Sequence, residues 1–219
     1  MWLHFIYLAC LLTSCVFAFI FRNGLKSRQL SFFPFYLLLV LGQEIFAIIM
    51  VKQDPSYSTG FIYNIYNPVN ALFFAIFYYR IPFNLPARKL IGALVIVFLT
   101  VVLFTFFFIQ SIRVYNNYLS LAGGFLITLC GMVFLFNYFK LDNHTEEKKW
   151  LPVIWITIGI VAFYPVVNIS FGLYKTLRAY EANVFGIKVY RLVPQLMSIF
   201  MYVCFTRAFY LCRKNYSLA

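Results

Sequence analysis

The residues best suited to chemistry in this chain are one carboxylate and a set of amides and hydroxyls. They are Glu44, Asn64, Asn67, Asn70, Asn168 and Gln195, with Tyr164 and Ser198. Asn64, Asn67 and Asn70 recur at three-residue steps inside FIYNIYNPVNALFF (61–74), with Pro68 among them. Thr157, Tyr164 and Asn168 are spaced by seven and four, and Gln195, Ser198 and Tyr202 by three and four. On a helix each of these sets lies on one face. A carboxylate among amides suits recognition by hydrogen bonds, or the carriage of a proton. It does not suit bond cleavage. Intramembrane hydrolysis needs paired carboxylates or a metal-binding set of histidines and acids. Here a single Glu stands with His4, so neither a catalytic residue nor a metal is expected. Cys10, Cys15, Cys130, Cys204 and Cys212 all fall in apolar runs without a CxxC pair, so free, buried thiols are expected. Residues 193–212 hold no lysine, which excludes a retinal attachment there. No cofactor is expected, and the chain does not read as an enzyme.

These groups must be positioned by helices in lipid. The 219 residues are 63% hydrophobic and 11% charged. A soluble domain is about 45–50% apolar with about 25% charge, enough to cover its surface. The expectation is an all-α integral membrane protein, a single seven-helix domain over 1–219. The spans read about 2–21, 31–50, 61–79, 90–110, 118–139, 151–174 and 193–212, each long enough to cross. The net charge of +12 lies mostly in the short gaps. It points to topology and to anionic headgroups on the inner side, not to nucleic acid. With the N-terminus out and the C-terminus in, Arg22, Lys26, Arg28, Arg80, Arg88, Lys89, Lys140, Lys148, Lys149, Arg207, Arg213 and Lys214 fall inside. Lys52, Arg113, Lys175, Arg178, Lys188 and Arg191 fall outside, so the basic excess is internal. The expected location is the inner (cytoplasmic) membrane of a cell, multi-pass. LTSC before Val16 resembles a lipoprotein cleavage box, but no positive charge precedes it and a retained first helix is preferred. Asn143-His144-Thr145 is a nominal glycosylation acceptor on an inner loop.

Depth is the informative property. Under this topology the polar groups of five spans converge in the outer half of the membrane. His4 and Tyr7 come from the first, Glu44 (after Gln43) from the second, and the asparagines from the third. The sixth and seventh bring Tyr164 and Asn168, and Gln195 and Ser198. The inner halves carry little that is comparable. The expected arrangement is a polar pocket open to the outside, with Pro68 and Pro194 as hinges. A dry polar core is the other reading of the same residues, because interhelical amides also serve as glue. The fourth span, with few polar breaks, reads as peripheral or linking. The fifth, with Ser120, Gly123, Gly124, Thr128 and Gly131, reads as a close-packing face.

Gln43-Glu44, NIYNPVN (64–70) and the polar sixth span together resemble two groups. One is the stand-alone seven-helix bacterial membrane proteins without an assigned function, the other the membrane sensor halves of some bacterial signalling proteins. This resemblance of pattern implies no catalytic residues. Val193-Pro194-Gln195 is similar to the dipeptide of PQ-loop transporters, which have two three-helix repeats joined by a linker helix. Here the dipeptide falls in the last helix of a repeat rather than the first, and no second PQ occurs. Pro34 and Pro152 would each open a helix. The expected function is a sensor or binding protein for a small polar ligand or lipid headgroup, acting through a protein partner at its basic inner loops. The alternatives are a secondary transporter with Glu44 as proton carrier, and a structural or assembly protein. Small-residue stripes permit a homo-oligomer.

Overall fold

The computed structural model describes residues 2–26, 29–54, 59–81, 85–109, 115–140, 144–180, 183–184 and 187–213. Its elements are α1 (Trp2–Ile20), α2 (Arg22–Lys26), α3 (Phe33–Gln53), α4 (Gly60–Arg80), α5 (Leu85–Phe104), a π-helical turn (Thr105–Ile109), α6 (Asn117–Tyr138), α7 (His144–Gly172), α8 (Tyr174–Ala179), β1 (Asn183–Val184), β2 (Ile187–Lys188) and α9 (Val189–Leu211). Arg28, Arg113, Asn143 and Lys214, which entered the topology reading, lie outside the described residues.

Six of the helices are long and apolar enough to cross a membrane: α1, α3, α5 with its π turn, α6, α7 from Trp150 onward, and α9. The chain is therefore an all-helical multi-pass membrane protein in its main features. α4 has 21 residues, as long as α3. Its asparagines and tyrosines make it less apolar, so it is not among the six.

Each helix buries one stripe and offers the other to its surroundings. In α1 the buried residues are Tyr7, Leu11, Ser14, Cys15 and Ala18, while Leu12, Val16 and Phe19 are exposed. Exposed phenylalanines and isoleucines on nearly every long helix would be unstable in water, and they suit acyl chains.

α9 packs most extensively, on α7 and then α1; α7 meets α6, α6 meets α4, and α1 meets α3. Rings bridge the remaining seam between α3 and α4, where clefts of about 240 and 140 Å³ also lie. Tyr36 stacks on Phe73 at 4.1 Å, and Phe33 meets Phe77 edge-on at 5.2 Å. The result is a ring of six helices, α3-α1-α9-α7-α6-α4. α5 lies outside it against α4 and α6, in keeping with its near lack of polar residues.

Several boundaries differ from the sequence reading. α7 begins at His144, so Pro152 lies inside a helix and does not open one. Pro165 is a second internal proline of α7. α5 starts five residues earlier than expected, at Leu85, and α9 four earlier, at Val189. The gap before α9 holds a short helix and a two-residue antiparallel hairpin, Asn183 opposite Lys188. Pro34 does open its helix, in the first turn of α3, where a missing N–H costs nothing.

Glycine sets two close approaches. On α6 a Cβ at Gly131 would come within 2.8 Å of Val161 and within 3.4 Å of the Tyr78 hydroxyl. On α2 a Cβ at Gly24 would run into the backbone carbonyl of Cys212, so only glycine lets α2 lie against the end of α9. Gly24→Ala is expected to destabilise the protein by about 1–3 kcal/mol, because backbone must move. Thermal unfolding in detergent should show a lower midpoint, whereas Gly92→Ala, which meets nothing within 4 Å, should not.

Candidate functional site

Inside the ring lies a cavity of about 510 Å³, within the usual range for small-molecule sites, about 300–1,000 Å³. It occupies one end of the bundle. His4 and Tyr7 come from the start of α1, Glu44 from the later half of α3, and Tyr63, Tyr66, Asn67 and Asn70 from the first half of α4. Ser120, Gly123 and Gly124 come from the start of α6, Tyr164 and Asn168 from the later part of α7, and Gln195 and Ser198 from the start of α9. In an up-and-down bundle all of these are the same end. Thr59 and Tyr115, which precede α4 and α6, line its rim.

Of the residues singled out by sequence, Glu44, Asn67, Asn70, Tyr164, Asn168, Gln195 and Ser198 all line this one cavity, and so does Pro194. Asn64 does not. It is buried, and its Oδ1 accepts the Asn116 backbone N–H at 2.9 Å. Asn116 in turn caps α6, its own Oδ1 accepting from the N–H groups of Tyr118 and Leu119. Asn64 therefore fixes where α6 begins. Pro68 is buried inside α4 beside Asn67, where its missing N–H interrupts the helix ladder.

The walls are built by hydrogen bonds between helices. The Tyr36 hydroxyl donates to Asn70 Oδ1 at 2.7 Å, and Asn70 Nδ2 donates to the Tyr164 hydroxyl at 2.7 Å. One amide thus joins α3, α4 and α7. Tyr36 also pairs with Tyr66. Nearer the rim, Tyr7 pairs with the Glu44 carboxyl and with Tyr202. Tyr115 pairs with Ser120 and Asn67. Asn168 Nδ2 donates to the Leu121 carbonyl at 3.2 Å. The Asn168 amide lies where a Cβ at Gly124 would be, so that glycine admits it. Ser198 turns back onto its own helix, bonding the Pro194 carbonyl at 2.8 Å. Tyr115, in the connection before α6, is held neutral, since burial raises its phenol pKa against the opposing pull of Ser120 and Asn67.

Below the cavity aromatic rings gather around Phe33, beside a cleft of about 140 Å³ between α3 and α4. Phe33 is 1% exposed and meets Phe73, Phe74, Phe77, Phe205 and Phe209 within 6.4 Å. The polar groups at that depth satisfy one another directly. Tyr78 donates to Thr157 at 3.1 Å, and Ser14 bonds Thr206 and the Tyr202 carbonyl, each at 2.7 Å. Thr157, on the same face as Tyr164, belongs to this dry layer and not to the cavity.

The sequence reading missed most of the tyrosines. Tyr36, Tyr63, Tyr66 and Tyr115 line the cavity, but tyrosine in a membrane chain reads first as an interface anchor. A signal was present. Tyr63, Tyr66, Asn67 and Asn70 are spaced by three, one and three, the pattern of one helix face. Asn64 falls outside it. Among the described residues no group of three or more His, Cys, Asp and Glu could hold a metal ion. Comparison with protein-family models, curated proteins and solved structures returns no match.

Asn70 carries the interhelical load at the cavity floor. A double-mutant cycle of Tyr36→Phe and Asn70→Leu should give a coupling of about 0.6–1.7 kcal/mol in detergent unfolding. Asn64→Leu should cost about 1–3 kcal/mol, because it strips the acceptor from the buried Asn116 N–H.

Proposed function

We propose that this chain is a binding protein or sensor of the cell's inner membrane that takes a small polar ligand, or a lipid headgroup, into the cavity around Glu44. One observation carries the reading: polar side chains from six helices line a single space at one end of the bundle, while the other end is packed with aromatic rings. An assembly protein with a dry polar core needs no such space. The reading includes α4 as a seventh span, with the N-terminus and the cavity outside and the C-terminus inside, as the basic excess at the opposite end favours. Occupancy would shift α4 and α9 at Pro68 and Pro194 and pass to a protein partner at the basic inner surface. The aromatic packing around Phe33 favours binding over transport, because a transporter needs a polar exit.

Labelling with a membrane-impermeant thiol reagent tests this. With the five native cysteines replaced, single cysteines at positions 44, 67 and 168 should react from the outside only. Reaction from both sides would make the chain a transporter with Glu44 as proton carrier. No reaction from either side would leave the polar cluster as structural glue.

A further inference from the structure

We infer that the ligand of this cavity is an organic cation, an amine or quaternary ammonium group. The inference rests on the binding reading above and gives it a substrate class. The lining carries one carboxylate, Glu44, one histidine, His4, and no lysine or arginine among the described residues. An anion would meet no permanent countercharge there, His4 being the one side chain of the wall that could supply a positive charge. Yet the chain is rich in basic residues, 18 Lys and Arg against 6 Asp and Glu, so their absence from the cavity wall is not a matter of supply. The rest of the wall is aromatic to an unusual degree. Tyr7, Tyr63, Tyr66, Tyr115, Tyr202 and Phe171 all contribute. Ring faces attract ammonium groups through their quadrupoles, most strongly where water is excluded, and a set of rings around a carboxylate is a recognised way to hold such a group.

The energetics agree. A carboxylate in a low-dielectric cavity is costly alone and far less so when paired with a cation. Tyr7, paired to Glu44, fixes its position in the wall. The amides of Asn67, Asn168 and Gln195 leave acceptors for N–H or hydroxyl groups on the remainder of the ligand. The ammonium group itself has two sources, a free solute or a lipid headgroup such as phosphatidylethanolamine.

The test uses the full chain in phosphatidylglycerol nanodiscs. Tetramethylammonium and methylammonium chloride are the cationic probes, with potassium chloride matching ionic strength. Sodium acetate and glycerol are the anionic and neutral probes. An ammonium probe should raise the thermal midpoint at millimolar concentration. Glu44→Gln should weaken that response at least about tenfold, and so should Tyr66→Leu, whereas Tyr66→Phe should retain it by keeping the ring. If adding phosphatidylethanolamine abolishes the response, the lipid headgroup is the occupant; if the response persists, a free ammonium is. Stabilisation by acetate or glycerol alone overturns the cation inference and leaves the binding reading standing. So does an inert panel when a cysteine at position 67 labels from outside. An inert panel with no labelling overturns both.

Discussion

A single amide, Asn70, sets the geometry on which the cavity depends. Hydrocarbon offers no water to satisfy a polar side chain, so each polar group must find its partner within the protein. Asn70 has an acceptor and a donor to satisfy, and it finds Tyr36 on one side and Tyr164 on the other. The three helices concerned are therefore pinned at one depth. Above the pin, tyrosine hydroxyls and amides face a common space. Below it, Phe33 and its neighbours exclude that space. The boundary between the cavity and the aromatic packing is this hydrogen-bonded layer.

Close approach and vacancy are balanced around α6. Gly123, Gly124 and Gly131 let that helix come near α4 and α7, which tightens one side of the ring. The tyrosines do the reverse. Tyr7, Tyr63, Tyr66 and Tyr202 stand around the cavity as its walls. Hydrogen bonds in membranes are individually modest, about 1–2 kcal/mol or less. The cohesion of the bundle must come mostly from dispersion along the seams, and the polar bonds decide which packing is adopted.

The sequence made the level of the site legible but only part of its composition. Depth along each apolar segment can be counted, and Glu44, Asn67, Asn70, Asn168 and Gln195 could be matched on depth alone. Azimuth is harder. Asn64 stands at the same depth as its neighbours, yet it points to the head of α6, and a three-residue repeat does not distinguish these faces. Tyrosine is ambiguous for a different reason, since one end of the ring suits lipid and the other suits a polar wall. Pro152 illustrates a limit of local rules. Proline disfavours helix in the residue before it, but α7 runs through, extended at its start by polar residues that no apolar count would include.

The position of α9 bears on how the protein is made. It is the last of the described helices, and it supplies the ring's widest packing, against α7 and α1. Until it is inserted, the ring is a crescent, and Glu44, Tyr7 and Asn168 have one open flank. Insertion of the least apolar of the six counted spans is then helped by the polar wall already waiting for Gln195 and Ser198. The cavity exists only where α9 closes the ring.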